Sequence, residues 1–236
     1  MTKDKMKRKA ILLKHCLDDY EHLISDKDFG LIKYFLKSAQ GGCFSDDEIF
    51  EYNTSEIKKE FLISEIESVE YSFIYFSGHS SFHGRLVHLP LFNDDEIKES
   101  ELMRPNKKQW IFLDCCRTSR ETIQSPDFPM ARHLNLLTPG NDIAREKWKK
   151  NISCFDSFYV LYYTTKLGCY SYNSNDGGFG TQLFFMTLME NTGINLSIKE
   201  LMLIINQETI QQSDIITGNI DASNFLVNNM FENQSL

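Results

Sequence analysis

The chain has 236 residues, enough for one substantial core, and at 42% hydrophobic and 25% charged it has the composition of an ordinary globular domain. Its net charge of −8 argues against nucleic acid or an anionic membrane as partner. The only basic run, Lys147, Lys149 and Lys150, reads as a solvated helix face or exposed loop. Six cysteines (Cys16, Cys43, Cys115, Cys116, Cys154, Cys169) are scattered without a C-x-x-C pair, which excludes a zinc motif or a disulfide framework and fits a reducing compartment. The apolar stretch 10–13 is too short for a signal-peptide core or a membrane span, so a cytoplasmic location is expected.

Residues 9–14 read as a buried first strand. A helix is expected over 26–40, with Leu31, Ile32, Phe35 and Leu36 on one face, Asp26 as its cap and Gly41-Gly42 as its stop. A short strand over 47–52 follows. Asn53-Thr54 then caps a helix that turns Ile57, Phe61, Leu62 and Ile66 inward. Residues 71–77 and 110–115 are strands three and four, each a continuous apolar run of the kind found in parallel sheets, and 85–89 starts a small hairpin between them. Alternating strands and amphipathic helices predict an α/β fold with right-handed crossovers.

The segment 118–153 holds three of the five prolines and reads as a long connection with one or two short helices. A fifth strand is expected over 157–165, helices over 180–191 and 197–212, and a last strand over 224–227. The glycine-rich run 176–180 lacks the lysine of a phosphate loop and reads as a turn before a helix. Asp46-Asp47 and Asp94-Asp95 have no ordered ligand spacing, so neither a metal nor another cofactor is expected. Cys16, Cys43 and Cys154 read as small structural residues.

His79 ends the third strand and Cys115-Cys116 end the fourth, 37 residues on from the histidine to Cys116. Open α/β sheets gather reactive groups at the carboxyl ends of their strands. A histidine and a cysteine delivered there make a base and a nucleophile. A vicinal Cys115–Cys116 disulfide as a redox sensor is a weaker reading, because such a bond is strained.

The segment Y-F-S-G-H-S at 75–80 resembles the S-G-H-G motif of caspase-like cysteine proteases, the group that includes caspases and metacaspases. L-D-C-C-R at 113–117 resembles their D-x-C or Q-A-C-R motif. The resemblance extends to the opening strand and helix, to Asn53-Thr54, and to 162–179 as a small-subunit-like segment. It implies a three-layer α/β/α sandwich with a mostly parallel sheet, forming one peptidase domain. Residues 9–117 would be its large part, 118–153 its linker and 154–236 its small part.

The resemblance makes His79 and Cys116 the catalytic dyad and the backbone N–H groups of Ser80 and Cys116 the oxyanion hole. Ser80 departs from the glycine that the family usually has there. The resemblance also groups Asp28, Ser77 and Asp114 as an acidic pocket, implying cleavage after Arg or Lys, with the substrate extended beside Tyr170, Ser171 and Tyr172. Arg120, Arg132, Arg145, Lys147, Lys149 and Lys150 in the linker become candidate self-cleavage sites. Stand-alone bacterial relatives of this type suggest a protein substrate, for example a gasdermin-like pore former, in antiviral defence or cell death. They also suggest an activating partner or a homodimer. The rival reading is an inactive scaffold or binding module of the same fold, motivated by Ser80.

Overall fold

A computed structural model describes residues 6–117, 137, 139–169, 171, 173–174, 177–191, 198–208 and 213–218. In chain order, strand β1 (Arg8–His15) leads to helix α1 (Asp19–Lys37), β2 (Ile49–Asn53), α2 (Lys59–Glu67) and β3 (Tyr71–Gly78). A three-stranded antiparallel sheet follows, made of β4 (Ser81–His83), β5 (Leu86–Pro90) and β6 (Glu96–Lys98). The short α3 (Glu99–Leu102) then precedes β7 (Lys108–Asp114). The second part comprises α4 (Asp142–Ser153), β8 (Phe158–Tyr163), a ribbon of β9 (Asn173–Ser174) and β10 (Gly177–Gly178), α5 (Phe179–Glu190), α6 (Ile198–Glu208) and β11 (Asp214–Gly218).

The main sheet has the order β11-β8-β7-β3-β1-β2. All its pairings are parallel except that of β11 with β8. Its inner strands are apolar on both faces, as a sheet covered on both sides requires. Ala10, Leu12, Tyr75, Phe112 and Tyr162 face one layer, in which Phe29 and Ile32 of α1, Trp148 of α4, Phe184 of α5 and Leu201 of α6 are buried. The alternate residues Ile11, Leu13, Phe76, Leu113 and Tyr163 face the other layer, where Leu62 and Ile66 of α2, Leu102 of α3 and Val87, Leu89 and Ile97 of the small sheet close the core. Three layers result, as expected. Among the described residues no helix is long and apolar enough to cross a membrane.

Several boundaries differ from the expectation, each for a local reason. Helix α1 starts seven residues before Asp26, because Asp18 is the real cap and accepts from the Glu21 N–H at 2.9 Å. Asp26 instead lies within the helix and pairs with Lys14. The helix ends at Lys37, ahead of the glycine pair. Asn53 caps only a short 3₁₀ turn, and Phe61 of α2 is 43% exposed, stacked edge-on against Tyr52 rather than inward. Gly177-Gly178 forms a strand of the small ribbon directly before α5, and β11 was not anticipated. The expected strand over 224–227 lies outside the described residues.

The basic run lies on helix α4 with Lys150 exposed, as a solvated helix face would have it, but Lys149 departs from that reading. Trp148 is buried in the core, and Lys149 is 7% exposed, donating to Glu146. Arg145 reaches Glu48 at 2.6 Å and the Cys43 carbonyl at 3.0 Å. A protease reads its target as extended chain, whereas four of the six proposed self-cleavage sites are helical. Arg120 and Arg132 lie outside the described residues. Cys43 is buried and Cys16 meets Ser25 Oγ at 3.3 Å, but Cys154 is exposed rather than structural.

Candidate active site

Parallel pairing sets Ser77 of β3 opposite Asp114 of β7. His79 and Cys116 each follow that rung by two residues, at the carboxyl edge of neighbouring strands about 4.8 Å apart. Ser80 joins the two segments: its hydroxyl donates to the Cys116 carbonyl at 3.0 Å. Ser80 does not adopt the left-handed backbone that would call for glycine. Gly78 does, with φ +139°, and an added Cβ there would lie 2.2 Å from the His15 carbonyl oxygen. The glycine the turn needs is therefore the one before the histidine, not the one after it.

The Cys116 sulfur accepts from the Ser171 N–H at 3.4 Å. Burial pushes its thiol pKa up, the Ser171 N–H opposes this, and the Asp114 carboxylate adds to the rise. Cys116 thus rests as a neutral thiol, and among the described residues no hydrogen bond links it to the His79 ring. Cys115 lies beneath, 1% exposed, and burial raises its pKa strongly. It is the inert member of the pair.

The His79 ring is anchored through Nε2, 2.6 Å from Glu21 Oε1. Its backbone N–H donates to the His15 carbonyl at 3.3 Å. His15 is held below its usual pKa, first by burial and then by the charge of His79, and its Nδ1 meets Thr54 Oγ1 at 3.0 Å. Neither Glu21 nor His15 was singled out from the sequence. The D-D-Y-E run at 18–21, a cap with an acid three residues on, was the available signal for Glu21.

Asp28, Ser77, Asp114 and Ser171 do come together. Ser77 Oγ donates to Asp28 Oδ2 at 2.9 Å, and the Gly178 N–H donates to Asp28 Oδ1 at 2.8 Å. Asp114 Oδ1 accepts from Thr164 Oγ1 at 2.7 Å and Ser171 Oγ at 2.5 Å. Its Oδ2 accepts from the Thr181 hydroxyl and from the Thr181 N–H at 3.0 Å. Thr181 Oγ1 in turn lies 2.8 Å from the Tyr75 hydroxyl. Both carboxylates are buried, and among the described residues neither has an ion pair. Burial, and then the neighbouring Asp114 charge, push the Asp28 pKa up to about 8. The threonines and Tyr75 were missed because their role depends on which strands meet. Tyr170 and Tyr172 lie outside the described residues.

No known family model matches the sequence, and no curated protein matches it. Solved structures do. Caspase-1 from Spodoptera frugiperda superposes with a TM-score of 0.55 at 14% identity, over 90% of this chain and 86% of that one. A Geobacter sulfurreducens protein superposes with a TM-score of 0.59, also at 14% identity, over 93% of this chain and 97% of its own. The fold is caspase-like. At this identity the superposition speaks for the fold alone, so the caspase-like sheet locates the strand ends and the chemistry rests on the residues found there.

Proposed function

We propose that the protein is a cysteine endopeptidase with a Cys116–His79 dyad and a preference for Arg or Lys before the cut. The observation that carries this reading is the arrival of His79 and Cys116 two residues beyond one rung of the sheet, with Ser80 bridging their backbones. The thiol is neutral at rest, so His79 acts as its base when substrate binds, a step for which resting geometry is often loose. Sγ attacks the scissile carbonyl as the thiol proton moves to the imidazole. The N–H groups of Ser80 and Cys116 receive the oxyanion. The imidazolium then protonates the leaving amine, and water hydrolyses the thioester.

The preference for a cation follows from the Asp28–Asp114 pair. The two buried carboxyl groups are supplied with hydroxyl and amide donors and, among the described residues, with no cation, so burial and the Asp114 charge keep a proton on Asp28 up to about pH 8. A substrate guanidinium or ammonium would provide the cation, and an aspartate would be repelled. The β9–β10 ribbon covers this pair, since a Cβ on Gly178 would lie 2.4 Å from Asp114 Oδ2. A long basic side chain therefore reaches it by way of Ser171 or by displacing the ribbon. A gasdermin-like substrate, as the resemblance suggests, would then carry Arg or Lys in its cleaved loop.

Fluorogenic peptides that differ only in the residue before the cut test the reading. Hydrolysis is expected after Arg or Lys, falling by roughly a thousandfold or more in Cys116→Ala. Faster cleavage after Asp would overturn the specificity, and turnover that survives Cys116→Ala would overturn the nucleophile. The inactive-scaffold reading loses its motive, because Ser80 is accommodated without backbone strain.

A further inference from the structure

The geometry points to Glu21 as the residue that positions His79, an assignment that rests on the Cys116–His79 reading and deepens it. A carboxylate only accepts hydrogen bonds. At 2.6 Å from Glu21 Oε1, His79 Nε2 therefore carries its proton toward α1. A neutral imidazole so held is the Nε2–H tautomer, which leaves the Nδ1 lone pair as the site that takes the thiol proton. When Nδ1 is protonated, the same carboxylate faces the resulting imidazolium and stabilises it. This is a base, an orienting acid and a nucleophile in the order that acyl transfer requires.

Glu21 is itself held in place. Its second oxygen, Oε2, accepts from the Leu17 N–H at 2.6 Å, and its own N–H donates to the Asp18 cap at 2.9 Å. One oxygen thus secures the start of the helix while the other secures the imidazole. An acidic side chain in the first turn also suits the helix dipole. Among the described residues, the titratable groups that interact with His79 are Glu21 from α1 and His15 from β1. Because burial keeps His15 neutral, Glu21 is the one that supplies charge. The contact is not made for stability. The His79 side chain is 47% exposed and that of Glu21 24%, a setting in which an ion pair contributes little to folding. Its effect is on the direction and protonation of the ring.

The test compares wild type with Glu21→Gln, Glu21→Ala and the control Asp18→Ala, by ¹⁵N NMR of the His79 ring and by the separate kcat and KM of peptide hydrolysis. Asp18→Ala weakens the same helix start without touching His79. Glutamine has one acceptor oxygen for two donors, so it cannot hold both the ring and the Leu17 N–H. A fixed Nε2–H tautomer is expected in wild type and Asp18→Ala, giving way to a mixture in Glu21→Ala. In both Glu21 variants kcat falls by about 10- to 100-fold with KM little changed. If Asp18→Ala reproduced the Glu21 losses, or the wild-type ring showed mixed tautomers, Glu21 would be a helix cap only and the proposal would fail. A wild type that fixes the tautomer but hydrolyses no peptide would support the positioning of the ring and overturn the protease reading. An active enzyme with mixed tautomers would do the reverse.

Discussion

Asp28 is 1% exposed and sits beside a second buried carboxylate, and its pKa is pushed up to about 8 from an ordinary value near 3.8. The folded chain therefore keeps a proton at pH values where the unfolded chain has lost it. Stability from this group is fully present below pH ~4 and is lost as pH rises toward 8. Asp28→Asn removes the ionisation and keeps one acceptor, for the Gly178 N–H, while its amide N–H faces Ser77 Oγ, whose hydroxyl can turn to accept. Urea midpoints measured from pH 5 to 9 should fall with rising pH in wild type and fall less steeply in the variant. Equal slopes would place the titration elsewhere. Asp28 was legible as a candidate only through the S-G-H and D-C-C resemblance. Nothing in its own neighbourhood distinguishes it from Asp26, which lies two residues away and is an exposed partner of Lys14.

At the scale of elements, the β9–β10 ribbon and α4 decide how the site is enclosed. Gly177 has φ +132°, and a Cβ there would lie 2.3 Å from Asp28 Oδ1. Gly178 is as tightly placed against Asp114. A methyl at either position must push the ribbon off the acids. Gly178→Ala is expected to destabilise the fold by about 1–3 kcal/mol, as overpacking does, and to change KM for Arg peptides. Chemical denaturation together with kinetics on the same sample checks both. Unchanged stability and KM would mean that the ribbon does not rest on the acids. The turn chemistry of the run 176–180 was readable, but not what lies beneath it, because the contact spans 150 residues of sequence. The start of α1 was missed for a different reason. Leu17 and Leu23 are 71% and 54% exposed, so the apolar periodicity there is weak, while the Asp18 cap that sets the boundary is a single residue. Strand β11 is short and lies at the sheet edge, where no continuous apolar run marks it.

For the whole molecule, the central strands were readable because a parallel sheet covered on both faces demands unbroken apolar runs. Residues 71–77 and 110–115 have that character. Their order and register place His79 and Cys116 on one edge, and a glycine at 78 lets β1 and β3 approach closely. The partners that tune the site come from four elements distant in sequence: Glu21 from α1, Thr164 beyond β8, Ser171 before the ribbon and Thr181 in α5. Periodicity carries no information about such meetings. They appear only when the sheet has assembled.

The account turns on Cys116 being a nucleophile that accepts a basic residue before the cut. The direct measurement is mass-spectrometric mapping of the adduct formed with a peptidyl acyloxymethyl ketone ending in Arg, alongside its Asp counterpart. The exposed thiols Cys154 and Cys169 serve as internal controls for unselective alkylation. A single adduct on Cys116 is predicted, faster with the Arg probe than the Asp probe and strongly slowed in His79→Ala. Labelling that spares Cys116, or that falls equally on Cys154 and Cys169, would contradict it.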